Sequence, residues 1–231
     1  MTDGTQGGTL ALTHEGKPGL PRGRSRLPTR TVRASQRERL LRAVIAAVAE
    51  FGYAAVTVAD IVRRAKVSRA AFYAHFRDKE SCFLTATHEG WQLLVSRVIA
   101  AARAVADDAD EEVLRVGCRT FLGFLGDEPA FARVFYIEMP AAGPAAANRL
   151  QAAGHLFAQI NCTWHERARE RHPDWPAVPY EACLALAGAT AELVRSLVRA
   201  DRTSALPELE DTLVSLHLAI LAGRPWGTAP R

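Results

Sequence analysis

Residues 67–80, VSRAAFYAHFRDKE, gather side chains suited to handling a polyanion. Arg69 carries a planar fork of donors that can grip a guanine edge bidentately, and Ala71 offers a methyl for apolar contact with thymine. Tyr73, His75 and Lys79 suit phosphate oxygens, and Ser68 can cap a short helix that presents them all. Just upstream, Thr57 opens TVADIVRRAK with Asp60 three residues later, a capping box with Asp in place of the usual Glu. Catalytic signatures are missing: there is no nucleophile elbow and no Gly-rich phosphate loop after a strand. HExxH and paired CxxC motifs are absent too, so neither an enzyme nor a cofactor is expected.

Groups of this kind need a rigid support. In SQRERLLRAVIAAVAEFGY the residues Leu40, Leu41, Val44, Ile45, Val48 and Phe51 recur at three- and four-residue spacing, one apolar face of a helix beginning near Ala34. Gly52 can end it in the left-handed conformation. Val58, Ile61, Val62 and Ala65 form the buried stripe of a second helix. A third is predicted from Ser68 to Phe76, with Phe72 and Phe76 turned inward. Asp78 then caps a long fourth helix. Three short helices with a tight turn between the second and third make a helix-turn-helix, whose reading helix must be short, propped and polar near its start. Further helical spans are expected at 110–126, 129–139, 145–171, 179–201 and 207–222, separated by Pro- and Gly-containing breaks. No strand pattern occurs, so the expected fold is all-α.

The 231 residues carry a net charge of only +4, unevenly spread. Residues 17–80 hold 15 Lys/Arg against 5 Asp/Glu, whereas residues 81–231 hold 14 against 18. Basic charge confined to one third of a chain is the footprint of a nucleic-acid partner. Residues 1–32, rich in Gly, Pro and Thr, read as a flexible basic arm. Arg22, Arg24, Arg26, Arg30 and Arg33 could enter a minor groove beside the reading helix. No signal peptide or apolar run long enough to span a membrane is seen, and Cys82, Cys118, Cys162 and Cys183 are scattered through apolar sequence. That pattern suits reduced thiols in a cytoplasmic protein.

TVADIVRRAKVSRAAFYAHFRDKE closely resembles the DNA-binding signature of the TetR-type (tetracycline-repressor-like) transcriptional regulators. The resemblance rests on Thr57, Ile61, Ala65, Val67-Ser68, Phe72-Tyr73, His75-Phe76 and Asp78-Lys79-Glu80, with the Gly52-Tyr53 pair ahead of the second helix. It covers roughly residues 37–85. The resemblance implies that Thr57, Ser68, Arg69, Ala71, Tyr73, His75 and Lys79 stand where the family contacts DNA. It also implies a DNA-binding domain at 33–80 and a ligand-binding and dimerisation domain at 81–223; the Pro- and Gly-containing residues 224–231 read as a loose tail.

Within the larger half, Leu206, Leu209, Leu213, Leu216 and Ile220 form a 3-4-3-4 strip. The preceding helix sets Ala185, Gly188, Ala189 and Ala191 beside Leu186, Leu193 and Leu197. The resemblance implies that these two helices form a homodimer contact, with internal core as the alternative role for both stripes; a symmetric dimer would place twin reading helices on a palindromic operator. Phe121, Phe124, Phe135, Tyr136, Met139, Phe157, Asn161 and Trp164 are the expected lining of a pocket for a small apolar ligand. Ordinary core packing is the competing role for each of them. The functional expectation is a repressor released by that ligand. Two alternatives stay open: a metal-responsive regulator built around Cys162 and His165, and a dimeric DNA binder without a ligand.

Overall fold

The computed structural model describes residues 9–11, 29–106 and 109–225, and among them every regular element is helical. In chain order these are α1 (Thr29–Phe51), α2 (Val58–Ala65), α3 (Arg69–Tyr73), α4 (Lys79–Arg103), α5 (Asp110–Asp127), α6 (Pro129–Arg133), α7 (Pro144–Arg171), α8 (Tyr180–Arg199) and α9 (Glu210–Leu221). α6 continues as a π turn, Val134–Glu138, and a short 3₁₀ turn, Met139–Ala141; another 3₁₀ turn, Thr203–Leu209, leads into α9. The contacts divide the chain into two compact units, residues 1–90 with 128–146, and residues 91–127 with 147–231. This grouping differs from a boundary at residue 80, because α6 and its π turn pack on α1.

α1 begins five residues ahead of Ala34. No Gly or Pro interrupts the chain from Thr29 to Phe51, so nothing stops the helix from extending back. Arg30 and Arg33 therefore ride on α1 rather than in an arm, while Arg22, Arg24 and Arg26 lie outside the described residues. Residues 9–11 also depart from the flexible arm expected for 1–32. The buried Glu128 carboxylate accepts from the Thr9 hydroxyl at 2.6 Å and the Leu10 amide at 2.9 Å, and Ala11 is buried.

The inward stripe of α1 is Leu40, Leu41, Val44, Ile45 and Val48, all buried; Phe51 at its end is 53 % exposed. Gly52 ends the helix at φ +79°, as its position suggests. α2 has the reciprocal Thr57–Asp60 capping box. It closes on Lys66, which adopts φ 52°, a left-handed turn that glycine usually supplies. The buried Arg39 donates to the Lys66 carbonyl at 3.1 Å and holds this turn from α1.

In the second unit Arg115 and Arg119 of α5 bridge to Glu210 at the start of α9. Asp110, almost fully buried, pairs with Arg171 and lies 3.3 Å from His172. One cysteine expectation is corrected: Cys162 on α7 and Cys183 on α8 form a disulfide, their Cα atoms 5.9 Å apart. The side-by-side course of these two helices brings together thiols separated by 21 residues. Cys82 and Cys118 remain free and buried.

Candidate nucleic-acid interface and ligand cavity

α3 is shorter than the stretch from Ser68 to Phe76. Ser68 is its N-cap, accepting from the Ala71 amide at 3.0 Å, and the helix ends at Tyr73. Beyond it the His75 amide donates to the Phe72 carbonyl at 2.9 Å, a tightened turn that lets Phe76 fold back into the core beside Phe72. Asp78 then accepts from the Ser81 amide at 2.7 Å and directs the chain into α4.

Phe72 anchors α3 with no exposed surface, so the opposite side faces outward. There Tyr73 is 49 % exposed, and the exposed Arg69 guanidinium lies 5.8 Å from its ring centroid. Thr57 and Ser68 are also exposed, and Ala71 is half-buried. Arg30, Arg33, Ala34 and Arg37 of α1 line a basic cleft together with His75. Arg37 is tied to Glu89. His75 is half-buried and its Nε2 has no partner. Burial, with Arg33 and Arg37 nearby, pushes its pKa down, which favours the neutral ring.

Lys79 has a structural engagement that its position in the motif does not reveal. Its ammonium donates to the Tyr53 carbonyl at 2.8 Å and sits 4.2 Å from the Tyr53 ring centroid; burial lowers its pKa. The Tyr53 amide donates to Glu138 of the π turn at 2.9 Å. The peptide that leaves α1 is thus held at both ends. π turns concentrate at functional positions because they re-aim side chains within a helix. Nothing in the sequence around Glu138 signals this contact, because the π turn depends on packing against α1.

The aromatic set of the larger half divides. Phe121, Phe157, Asn161 and Trp164 line one cavity in the second unit, formed by α4, α5, α7, α8 and α9. Phe124 is buried under the Arg97 guanidinium, 5.2 Å from its ring centroid, and does not line it. Phe135, Tyr136 and Met139 belong to the first unit, where Phe135 packs against Phe131. The expectation of a single aromatic cluster is corrected here, because the π turn carries those three residues onto the α1 side. Thr190 and His217 join the cavity wall without having stood out in sequence, since each sits alone in an apolar helical run.

Residues 40–86 match the model for bacterial regulatory proteins of the tetR family. The fold is shared with the fatty acid degradation regulator FadR from Bacillus halodurans, with TM-score 0.70, 19 % identity, and coverage of 81 % of this chain and 99 % of that one. FadR from Bacillus subtilis, solved in complex with stearoyl-CoA, gives TM-score 0.70, 16 % identity, and coverage of 81 % and 98 %. A TetR-like transcriptional regulator from Rhodococcus sp. RHA1 gives 0.63, 23 % identity, and coverage of 86 % and 100 %. Among the described residues no helix is long and apolar enough to cross a membrane. The capped α2–α3 pair and the outward Arg69 and Tyr73 all lie inside residues 40–86, the stretch that is similar to the bacterial regulatory proteins of the tetR family, and the chain shares its fold with the regulators named above.

Proposed function

We propose that the protein is a dimeric repressor that reads a palindromic operator through α3 and is released by a small, mostly apolar ligand. The observation carrying this reading is the outward face of α3. A five-residue helix, capped by Ser68 and propped by α2, presents Arg69 and Tyr73 to solvent with Arg30 and Arg33 of α1 also exposed. In this reading Arg69 reads a base edge and Ala71 meets a thymine methyl. Thr57, Ser68, Tyr73 and His75 bind phosphates. Lys79 contributes as a positive charge near the backbone while holding Tyr53. Arg24, Arg26, Arg30 and Arg33 add salt-dependent phosphate or minor-groove contacts.

Dimerisation is assigned to α8 and α9. The exposed Ala185 and Gly188 of α8 support it, together with the open space that a side chain at Gly188 would meet. Leu209, Leu216 and Ile220 remain partly exposed and extend the same strip. The ligand reading is supported by the cavity of the second unit and by the fold shared with a regulator solved with stearoyl-CoA bound. The metal-responsive alternative loses Cys162, which is joined to Cys183.

The test is selection of genomic fragments bound by the full chain, followed by titration of the selected site. Replacing Arg69 and Tyr73 by alanine should weaken that site by about 10- to 100-fold, the scale of one lost bidentate base contact plus a phosphate contact. Unchanged affinity would remove α3 as the reading element.

A further inference from the structure

The cavity of the second unit is chemically lopsided. None of its lining residues is Lys, Arg, Asp or Glu. Three polar side chains interrupt an apolar wall: Asn161 from α7, Thr190 from α8 and His217 from α9. Their exposures are 6 %, 2 % and 2 %, so all three are more than nine-tenths buried. Asn161 Nδ2 and Thr190 Oγ1 have no hydrogen-bond partner.

Such orphans are uncommon in folded proteins, and each calls for a reason. The usual resolution for a helical threonine is a bond back to the preceding turn. Thr87 makes that bond to the Phe83 carbonyl at 3.0 Å, whereas Thr190 makes none. His217 lies 2.7 Å through Nδ1 from the Leu213 carbonyl. A carbonyl only accepts, so Nδ1 carries the proton and Nε2 is left as an acceptor. The wall therefore offers an amide donor, a hydroxyl of either role and an imidazole acceptor.

We infer that this cavity binds a small uncharged molecule, mostly apolar, whose single hydroxyl or carbonyl oxygen is held by Asn161, Thr190 and His217. This rests on the ligand-responsive reading above and names its chemical class. A carboxylate or phosphate would be buried here with no cation to balance it. His217 cannot supply one near neutral pH, because burial holds its pKa down at about 4. Size points the same way. The cavity measures about 90 Å³, whereas an engineered cavity of about 150 Å³ holds benzene. A six-membered ring is therefore at the upper limit of what the wall can admit, and a long acyl thioester far exceeds it.

Calorimetric titration of the intact protein, without DNA, compares four probes: phenol, the near-isosteric toluene, the charged benzoate, and stearoyl-CoA. Phenol should bind about tenfold tighter than toluene, the equivalent of one to two buried hydrogen bonds, and benzoate and stearoyl-CoA should bind more weakly than phenol. The near-isosteric Thr190→Val and Asn161→Leu variants, each confirmed folded by its melting curve, should bring phenol and toluene within about twofold. Should one variant fail to fold, the other carries the comparison. Equal affinities in the parent, tighter binding of either anion, or no binding at millimolar probe overturns the inference. Because DNA is absent, that failure stays separate from failure of operator recognition.

Discussion

Helix propensity and packing make opposite forecasts for Gly90, in the middle of α4. In an isolated helix, Gly90→Ala should stabilise by about 1 kcal/mol. In this fold a Cβ at that position would stand 2.3 Å from Phe131 Cε2, 2.9 Å from Cδ2 and 3.0 Å from Cζ. Carbon atoms in contact sit at about 3.5–4.0 Å, so the ring would have to retreat by more than about 1 Å. Phe131 has no exposed surface and its centroid lies 5.6 Å from that of Phe135, so its retreat has to displace other buried side chains. Overpacking of this kind costs about 1–3 kcal/mol. With contact this close we take the upper end, and the propensity gain leaves a net loss of about 2 kcal/mol. Urea unfolding followed by far-UV circular dichroism should show the midpoint falling with little change in slope. The cycle with Phe131→Leu isolates the cause. In the leucine background Gly90→Ala should become neutral or stabilising, a coupling of about 2 kcal/mol. A Gly90→Ala variant at least as stable as the parent would refute this packing cost.

Three further outcomes follow from other parts of the molecule. Thr57→Ala removes the α2 capping box and should cost about 1 kcal/mol of stability, measured by the same unfolding. The Asp60 carboxyl is held down at about 2, chiefly by hydrogen bonds from Thr57, so its contribution is present above pH 4 and fades as pH falls towards 2; Thr57→Ala should flatten that acid dependence. Reducing the Cys162–Cys183 bridge reopens a 21-residue separation and should cost about 3 kcal/mol, read as a lower melting temperature under reductant. In denaturant, thiol titration should count two free thiols before reduction, Cys82 and Cys118, and four after it. His217, held at about 4 against an ordinary 6.5, makes the unfolded chain take up a proton first. Stability from this group is complete above pH 6.5 and declines by roughly 3 kcal/mol on the way down to pH 4; His217→Gln should remove most of that slope.

Local chemistry made much of the first unit legible in the sequence. The Thr57–Asp60 box, the Ser68 cap, the Gly52 stop and the inward Phe72–Phe76 pair each depend on residues within a few positions of one another. Their geometry is set by backbone hydrogen bonds and helical periodicity that a linear reading can follow. Even the outward placing of Arg69 and Tyr73 follows from Phe72 facing in. Contacts between distant segments were decided only by the tertiary fold. Lys79 and Glu138 meet at Tyr53 because a π turn packs on α1, and that turn also makes Phe135, Tyr136 and Met139 part of the first unit, whereas Phe121 and Phe157 belong to the second. Cys162 and Cys183 pair because α7 runs beside α8, while Asn161, Thr190 and His217 converge from three helices on one apolar space. Helical periodicity says which face of each helix is buried, but the register and angle at which buried faces meet come from side-chain packing across the whole unit. For that reason the helix-turn-helix could be recognised from a short stretch of sequence, and the chemistry of the cavity could not.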